Sequence, residues 1–479
     1  MRKSICMAWL AACLLPACSG VQGTHEQPAP VLPEAWNVPQ DASQSSMAGE
    51  RWWELFADPV LDTLVDEALQ HNHEIEAAAG RILEAEAAMG ITDADRYPVV
   101  GINANGSRSG ISTVDAMPLY PGMPRIQNNL HLAVDASYEL DIWGKFRHAS
   151  AAARAQLLAA QAAQDTVRLT LTSEVAQQYF NLLALDAQVA VVRDVLQSRL
   201  DTVDLMRLRF ESGVGSEYEI RQAEAEQSAV ASQLASTLKA RENLESALAI
   251  LLGRSPRDVM QGSVERGSVA PMETLWVPDG LPSALLLRRP DIREAEQKLR
   301  AEDAKIEVAR TEFFPAISLT SYLGVESANL ANLFTGPAGI FQFMLGLSQP
   351  IFNGNRLDYS VKAAEARRVQ AVADYQRAVA SAFGDVRNAL NAQAAGRDVL
   401  KAESARIAAL LEAQRLAGVR YQGGVSGRLE VLDADRQLLQ AQLAGIDAEN
   451  AQRVAVVSLF KALGGGWKTA GDEPAAASR

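Results

Sequence analysis

The sequence predicts a mainly α-helical chain, built by duplication of one unit, in which four β-strands lie between very long helices. Two observations carry this prediction. Several segments recur in the same order about 210 residues later, and runs of nearly 70 residues without proline follow stretches of β-type alternation. Apolar residues make up 48% of the chain, many of them alanine, whereas aromatic residues make up only 6%. Such a composition is typical of long helices rather than of a thick globular core.

The N-terminus has the features of a secretory signal. Two basic residues precede an apolar stretch, 5–15, that is too short to span a bilayer. The stretch ends in Leu15-Pro16-Ala17-Cys18, which resembles the bacterial lipobox, and the other two cysteines lie within the signal. We therefore predict that residues 1–17 are removed and that Cys18 is diacylated. An ordinary signal peptide with an incidental cysteine is the alternative.

The duplication is visible in three pairs of matching segments. Their offsets are 211, 210 and 217 residues, so both order and spacing are retained. The pairs are Phe210–Ala223 with Tyr421–Ala434, Asp141–Gly144 with Ile351–Gly354, and Asn72–Ala78 with Arg289–Ala295. Each half is therefore expected to contain a helix, a β-hairpin, a very long helix, a tight turn and another helix.

The two repeats are predicted over residues 73–253 and 290–463. In the first repeat we expect a helix over 73–97, a β-hairpin over 99–143, a long helix over 145–212, a turn over 213–216 and a helix over 217–252. In the second we expect a helix over 290–314, a β-hairpin over 316–352, a long helix over 355–423, a turn over 424–427 and a helix over 428–463. Residues 18–72 are predicted to form a lipid-anchored tether and belt segment. Residues 254–289 are predicted to form a second belt segment at mid-height, and residues 464–479 a C-terminal tail.

The long helices are predicted from the residues that they lack. No proline or glycine occurs over 145–212, which allows one helix of about 100 Å at 1.5 Å per residue. The stretch 355–423 has no proline, although Gly396 and Gly418 are expected to weaken the helix locally. The two shorter helices of a repeat, laid end to end, have about the same length. Each repeat is therefore expected to form one continuous column and one column of two pieces.

Four stretches between the helices alternate apolar and polar residues with the period of a β-strand. The predicted strands are 99–110, 129–141, 316–325 and 340–349. A half-buried sheet in water would show the same alternation. However, aromatic residues gather where the strands meet the helices, as at a membrane interface, and about ten residues suffice for a tilted transmembrane strand. These aromatic residues are Tyr97, Trp143, Phe146, Phe313, Phe314 and Phe352.

Four strands cannot close a barrel, and open sheet edges are not tolerated in lipid. If the strands enter the membrane, several chains must therefore combine them. Two chains would give eight strands and a filled interior, whereas three would give twelve strands and an open lumen. The wide helical wall favours three. The predicted fold is a homotrimeric tunnel, with a twelve-stranded barrel on a long α-helical barrel.

Several motifs resemble those of the TolC-like outer-membrane efflux family, in its lipoprotein (NodT-type) branch. They follow the family order over nearly the whole mature chain: Trp52–Pro59, Tyr138–Gly144, Leu287–Arg293, Phe314–Ile317, Gln349–Gly354, Val431–Ala434 and Leu463–Trp467. The resemblance implies a trimeric, lipid-anchored channel in the outer membrane that extends into the periplasm. It implies that cargo arrives from a periplasmic adaptor and an inner-membrane pump, expected to be of the resistance-nodulation-division type, and leaves passively to the exterior.

Two glycine-rich turns join the helices at the end opposite to the strands. They are Gly213-Val214-Gly215-Ser216 and Gly424-Val425-Ser426-Gly427. Glycine permits the positive φ of a tight reversal, and Ser216 or Ser426 can cap the outgoing helix. The resemblance implies that these tips also contact the adaptor.

Glu430 and Asp433 lie three residues apart and share a helical face. The ordinary interpretation is a solvated surface. If the face points at a threefold axis, the carboxylates form rings that attract cations. The resemblance implies a periplasmic constriction at these positions, typically lined by aspartates, and a hydrogen bond between Tyr421 and Glu219 that holds it closed. Gln222 stands where Asp433 stands in the other repeat, so the second hairpin is predicted to be the moving gate.

No enzymatic activity, cofactor or metal site is predicted, because no metal-binding, nucleophile-elbow or phosphate-loop pattern occurs. A net charge of -13 argues against nucleic acid as a partner. A coiled-coil adhesin or envelope spacer would explain the long helices and the lipid anchor but not the four strands. A diffusion porin would need many more strands per chain and no such helices.

Overall fold

The computed structural model describes residues 51–112, 114, 122–261, 263–267 and 288–465. Cys18, most of the predicted tether and the tail after Gly465 lie outside these ranges. A 3-10 helix, Trp52–Phe56, precedes the twelve α-helices and β-strands of the described ranges. In chain order they are α1 Pro59–His71, α2 His73–Ala94, β1 Val99–Gly110, β2 Ile126–Glu139, α3 Lys145–Glu211, α4 Glu217–Leu251, α5 Pro256–Gln261, α6 Pro290–Thr311, β3 Ala316–Ser327, β4 Gly339–Ser348, α7 Arg356–Gln422 and α8 Arg428–Ala462.

The lengths of the helices reveal the duplication directly. The two long helices α3 and α7 have 67 residues each, and α4 and α8 have 35 each. The helices that precede the strands, α2 and α6, have 22 each. The predicted internal duplication is confirmed.

Helices α2 and α6 end three residues earlier than predicted. In each case the last residues form 3-10-type turns, as in the hydrogen bonds from Tyr97 N to Ala94 O (3.0 Å) and from Phe314 N to Thr311 O (3.1 Å). Pro98 and Pro315 follow directly. A residue before proline is disfavoured in the α region, which explains why both helices stop there.

Helix α7 is not interrupted at its glycines. The helix runs unbroken from Arg356 to Gln422, through Gly396 and Gly418. A glycine in a helix costs about 1 kcal/mol relative to alanine, and packing can outweigh this. Gly396 lies against α8, since a Cβ placed there would stand 3.7 Å from the backbone and side chain of Gln452.

The chain forms two compact units. One consists of residues 81–160 and 294–375 and contains the sheet. Its strands are antiparallel and lie in the order β1-β2-β3-β4, so β1 and β4 each have one strand neighbour within the described chain. Strand β2 begins at Ile126, before the predicted 129, because its ladder with β1 continues through polar residues that do not alternate.

The two faces of this sheet differ in polarity. Paired residues of antiparallel strands project to the same side. One row is apolar across all four strands: Ile102, Val134, Leu323 and Phe341. The neighbouring row on the other face is largely polar: Gly101, Asp135, Tyr322 and Gln342. The apolar side chains are exposed in the single chain, which is the expected state of a surface that faces lipid.

Within the described ranges, the second unit combines residues 51–80, 161–261, 263–267, 288–293 and 376–465. Its main core forms where the N-terminal segment packs against α3, α4 and α8. Trp52 stacks on Phe460 with ring centroids 5.4 Å apart, and Phe56 lies 4.7 Å from Phe180. None of the helices in the described ranges combines the length and the apolar content needed to cross a membrane.

Candidate functional site at the hairpin tips

The second unit contains both tight turns between the helices, and they close in the same way. In the first, Gly213 has a φ of +75°, and the amides of Val214 and Gly215 donate to the Arg209 carbonyl at 2.9 and 3.0 Å. In the second, Gly424 has a φ of +68°, and the amide of Val425 donates to the Arg420 carbonyl at 2.9 Å. A left-handed glycine that closes a helix in this way is the common C-terminal cap.

The caps of the outgoing helices differ. Ser216 accepts a hydrogen bond from the Glu219 amide, and the Glu219 carboxylate accepts one from the Ser216 amide at 2.9 Å. This capping box contributes about 1 kcal/mol. The N-cap of α8 is Gly427, without a side-chain cap. The prediction that Ser426 caps this helix is wrong, because Ser426 precedes the cap position. Its hydroxyl is buried and has no hydrogen-bond partner among the described residues.

Each tip presents two exposed apolar side chains at equivalent positions of the two repeats. Val214 is 67% and Tyr218 73% exposed at the first tip, and Val425 is 71% and Leu429 68% exposed at the second. Large apolar groups that protrude together at the end of a helical hairpin are typical of a contact surface for another protein.

The two acidic residues of the predicted gate lie on the exposed side of α8 with arginines nearby. The Asp433 carboxylate accepts hydrogen bonds from Arg436 Nη2 at 2.7 Å and from Gln437 Nε2 at 2.5 Å. The Glu430 carboxylate lies 3.8 Å from Arg420 Nε. Both acidic side chains are about half exposed. A single chain therefore leaves this acidic face open.

The structure does not bring Tyr421 and Glu219 together within the described part of one chain. The Tyr421 hydroxyl instead accepts a hydrogen bond from Arg209 Nη1 at 2.9 Å, and the guanidinium of Arg428 lies 5.4 Å from the Tyr421 ring centre. Glu219 is engaged by its own cap. A comparison of the repeats could have drawn attention to Arg209, because Arg209 precedes Phe210 in the first repeat as Arg420 precedes Tyr421 in the second.

Further contacts that the sequence analysis missed join α3 to the second hairpin. Arg199, 4% exposed, donates from Nη1 to Asp435 at 2.8 Å, and the other oxygen of Asp435 accepts from Gln414 at 3.0 Å. This charge clamp joins α3, α7 and α8. Closer to the tip, Arg428 donates to the Thr202 hydroxyl at 3.3 Å. Two contacts at different levels along the helix thus join the second hairpin to α3.

A duplicated helical hairpin with a four-stranded sheet and two glycine-closed tips has known counterparts. The family model described as outer membrane efflux protein matches residues 64–254 and 281–465. The chain belongs to the outer membrane efflux protein family. The TolC-like resemblance and the predicted fold class are thereby confirmed.

Individual members of this family are similar over nearly their whole length. The cation efflux system protein CusC of Escherichia coli O6:H1 is 32% identical, over 95% of this chain and 99% of that protein. The outer membrane protein OprJ of Pseudomonas aeruginosa is 33% identical, over 96% and 95%. The crystal structure of the Campylobacter jejuni CmeC outer membrane channel superimposes with a TM-score of 0.86 at 27% identity and covers 93% of this chain and 95% of that one.

These findings confirm the main predictions of location and assembly. The outer membrane efflux protein described here is the outer-membrane channel component of an efflux system. It is a trimer that extends into the periplasm and works with a periplasmic adaptor and an inner-membrane pump.

Proposed function

We propose that the trimer is a passive duct without enzymatic activity, which docks its adaptor at the tips and closes at the second hairpin. The observation that carries the docking proposal is the repetition of exposed apolar pairs, Val214 with Tyr218 and Val425 with Leu429. Three chains present six such tips around one opening. We propose a pump of the resistance-nodulation-division type as the source of cargo.

The acidic pair Glu430 and Asp433 is proposed to line the periplasmic constriction. Both side chains are half exposed beside the second tip, so threefold symmetry would place three copies of each around the axis. Such rings attract cations and resist close approach of their own members. Tyr421 and Glu219 are proposed to hold the closed state. The two side chains do not meet within the described part of one chain, where Tyr421 is bound by Arg209 and Glu219 caps α4.

We also propose that Cys18 is diacylated after removal of residues 1–17 and anchors the trimer to the outer membrane. Mass spectrometry of the mature N-terminus tests this directly. A diacylated Cys18 is the expected result, and an unmodified terminus at another cleavage point would contradict the proposal.

Adaptor docking is tested with trimers in lipid nanodiscs and the purified periplasmic adaptor with which the channel supports efflux in cells. Val425→Asp with Val214→Asp should abolish binding, because a carboxylate replaces an apolar contact at both tips. The matched control is Met260→Asp, which changes an 83% exposed apolar residue on α5. Normal binding by the double tip variant would refute the proposed docking surface.

A further inference from the structure

Two arginines at the tips differ from their neighbours in having no acidic partner within the described chain. The tip region, 199–221 and 415–436, contains eight arginines. Six of them form ion pairs with carboxylates: Arg199, Arg207, Arg221, Arg415, Arg420 and Arg436. For Arg209 and Arg428, no carboxylate of the described residues lies within ion-pair distance.

These two unpaired cations converge on one side chain. Arg209 donates to the Tyr421 hydroxyl at 2.9 Å, and Arg428 lies over the Tyr421 ring at 5.4 Å. The Nε atom of each guanidinium is shielded from solvent and has no hydrogen-bond partner in the described chain. The ion-paired Arg199 also has an unsatisfied Nε, so the feature that distinguishes Arg209 and Arg428 is the lack of a carboxylate partner in the described chain. Two positive charges without counter-charge would gain from an anionic group.

We propose that Arg209 and Arg428 bind a carboxylate side chain supplied by the docked periplasmic adaptor. This inference rests on the proposed docking at the tips, and it names the chemical group of the adaptor that the tips recognise. Arginine guanidinium groups favour carboxylates, because their planar donors match the two oxygens. The pair is continuous with the proposed docking surface, since Arg428 directly precedes exposed Leu429. The side of α8 that contacts Thr202 is already occupied by α3 of the same chain, which favours the adaptor over a second copy.

The position of the pair links docking to opening. The hydrogen bond from Arg209 to Tyr421 joins α3 to α7, across the two repeats. A carboxylate on the adaptor would draw the Arg209 guanidinium toward itself and away from the phenol, because a charged acceptor binds more strongly than a neutral one. Docking would therefore weaken one of the contacts that hold the second hairpin against α3.

The test measures adaptor binding to nanodisc trimers as a function of salt. Arg209→Gln with Arg428→Gln should weaken binding about tenfold and flatten its salt dependence, because an ion pair at the interface is lost. Arg209→Lys with Arg428→Lys should retain most of the salt dependence. The matched control is Arg221→Gln, because Arg221 already pairs with Glu217 and Glu224, and its binding should stay within about twofold.

The outcomes separate this inference from the docking proposal. If Val425→Asp with Val214→Asp abolishes binding while the glutamine pair binds normally with an unchanged salt slope, the tips dock the adaptor and the carboxylate inference is wrong. If the glutamine pair dissociates the trimer without its adaptor, the arginines serve a second copy, which also overturns the inference. Restored binding of Arg428→Glu by an acidic-to-arginine change in the adaptor would support it directly.

Discussion

The side-chain amide of Asn72 donates a 2.8 Å hydrogen bond to the carbonyl of Leu251, the last residue of α4. The second repeat has the same joint, in which Arg289 Nη1 donates to the carbonyl of Ala462, the last residue of α8. The final carbonyls of a helix lack partners within it. In both repeats the residue at the start of the 22-residue helix therefore fastens it to the end of the 35-residue helix, although the residue type has changed.

Substitution of Asn72 tests whether it is a joint or only a helix cap. Asn72 also accepts a hydrogen bond from the Glu74 amide at 2.8 Å. Asn72→Ala should destabilise the fold by about 1–2 kcal/mol. Asn72→Asp should be at least as harmful, because it places a carboxylate against the Leu251 carbonyl, although aspartate is a good cap elsewhere. Thermal unfolding of the trimer is the measurement. If Asn72→Asp leaves the unfolding temperature unchanged, Asn72 acts as a cap alone.

Removal of the Arg199 side chain should loosen the second hairpin. Arg199→Ala leaves Asp435 largely buried and unpaired, and such a loss costs about 3–5 kcal/mol. We expect lower thermal stability and higher conductance in planar bilayers. Arg199→Met with Asp435→Leu should recover most of the stability, because no charge is left without its partner. Arg207→Ala is the control, since this exposed arginine should contribute less than about 1 kcal/mol. Equal effects of Arg199→Ala and Arg207→Ala would contradict the clamp.

The proposed gate predicts a change in ion selectivity. Glu430→Ala with Asp433→Ala should reduce the preference for cations and weaken block by divalent ions added on the periplasmic side, because both rings lose their charge. Reversal potentials in planar bilayers provide the measurement. Glu403→Ala with Glu412→Ala removes the same charge from α7, where each acid pairs with a nearby arginine, and should leave selectivity unchanged. If both double variants behave alike, the constriction lies elsewhere.

Tyr179 should make the fold sensitive to alkali. Its hydroxyl donates to Asp58 at 2.6 Å and accepts from the Gly267 amide at 2.8 Å. Burial, followed by the hydrogen bond to Asp58, raises the pKa of Tyr179 well above its ordinary value. The unfolded chain therefore loses the phenol proton first as the pH rises. The stability from this group is complete below about pH 10 and declines above it.

Tyr179→Phe should lower stability near neutral pH by about 1–3 kcal/mol, because Asp58 loses a buried donor. The difference between wild type and variant should shrink above about pH 10. Unfolding by denaturant at pH 7 and above pH 10 measures both effects, and Tyr218→Phe at the exposed first tip is the control. A difference that stays constant across this range would refute the linkage.

Most of the fold could be predicted because it depends on features that are local or repeated. The absence of proline and glycine gave the extent of α3, and the recurrence of its flanking segments gave α7. Contacts between the repeats could not be predicted in this way. Arg199 and Asp435 are 236 residues apart, and Arg209 and Tyr421 are 212 apart. Helical periodicity indicates which face a residue occupies but not which distant helix lies opposite.

Local geometry accounts for the smaller errors. The cap of α8 falls on Gly427 rather than Ser426, because the two turns close in the same way and Gly427 occupies the position that Ser216 has in the first repeat. The strands were recognisable by alternation only where one face is apolar. The first residues of β2 pair with β1 through backbone hydrogen bonds that any side chain permits, so their sequence carried no signal.

The open edges of β1 and β4 also determine the order of events in biogenesis. Neither edge has a strand neighbour within the described chain, so in a lipid environment a neighbouring chain of the trimer would have to satisfy its backbone donors and acceptors. A lone protomer in the bilayer would leave both rows unsatisfied, so insertion must accompany or follow association of the three chains. The rate of channel maturation then depends steeply on the concentration of newly exported protomers. A defect in one edge strand would be dominant in a cell that also makes the normal chain, because every mixed trimer contains at least one contact between chains that involves the defective strand.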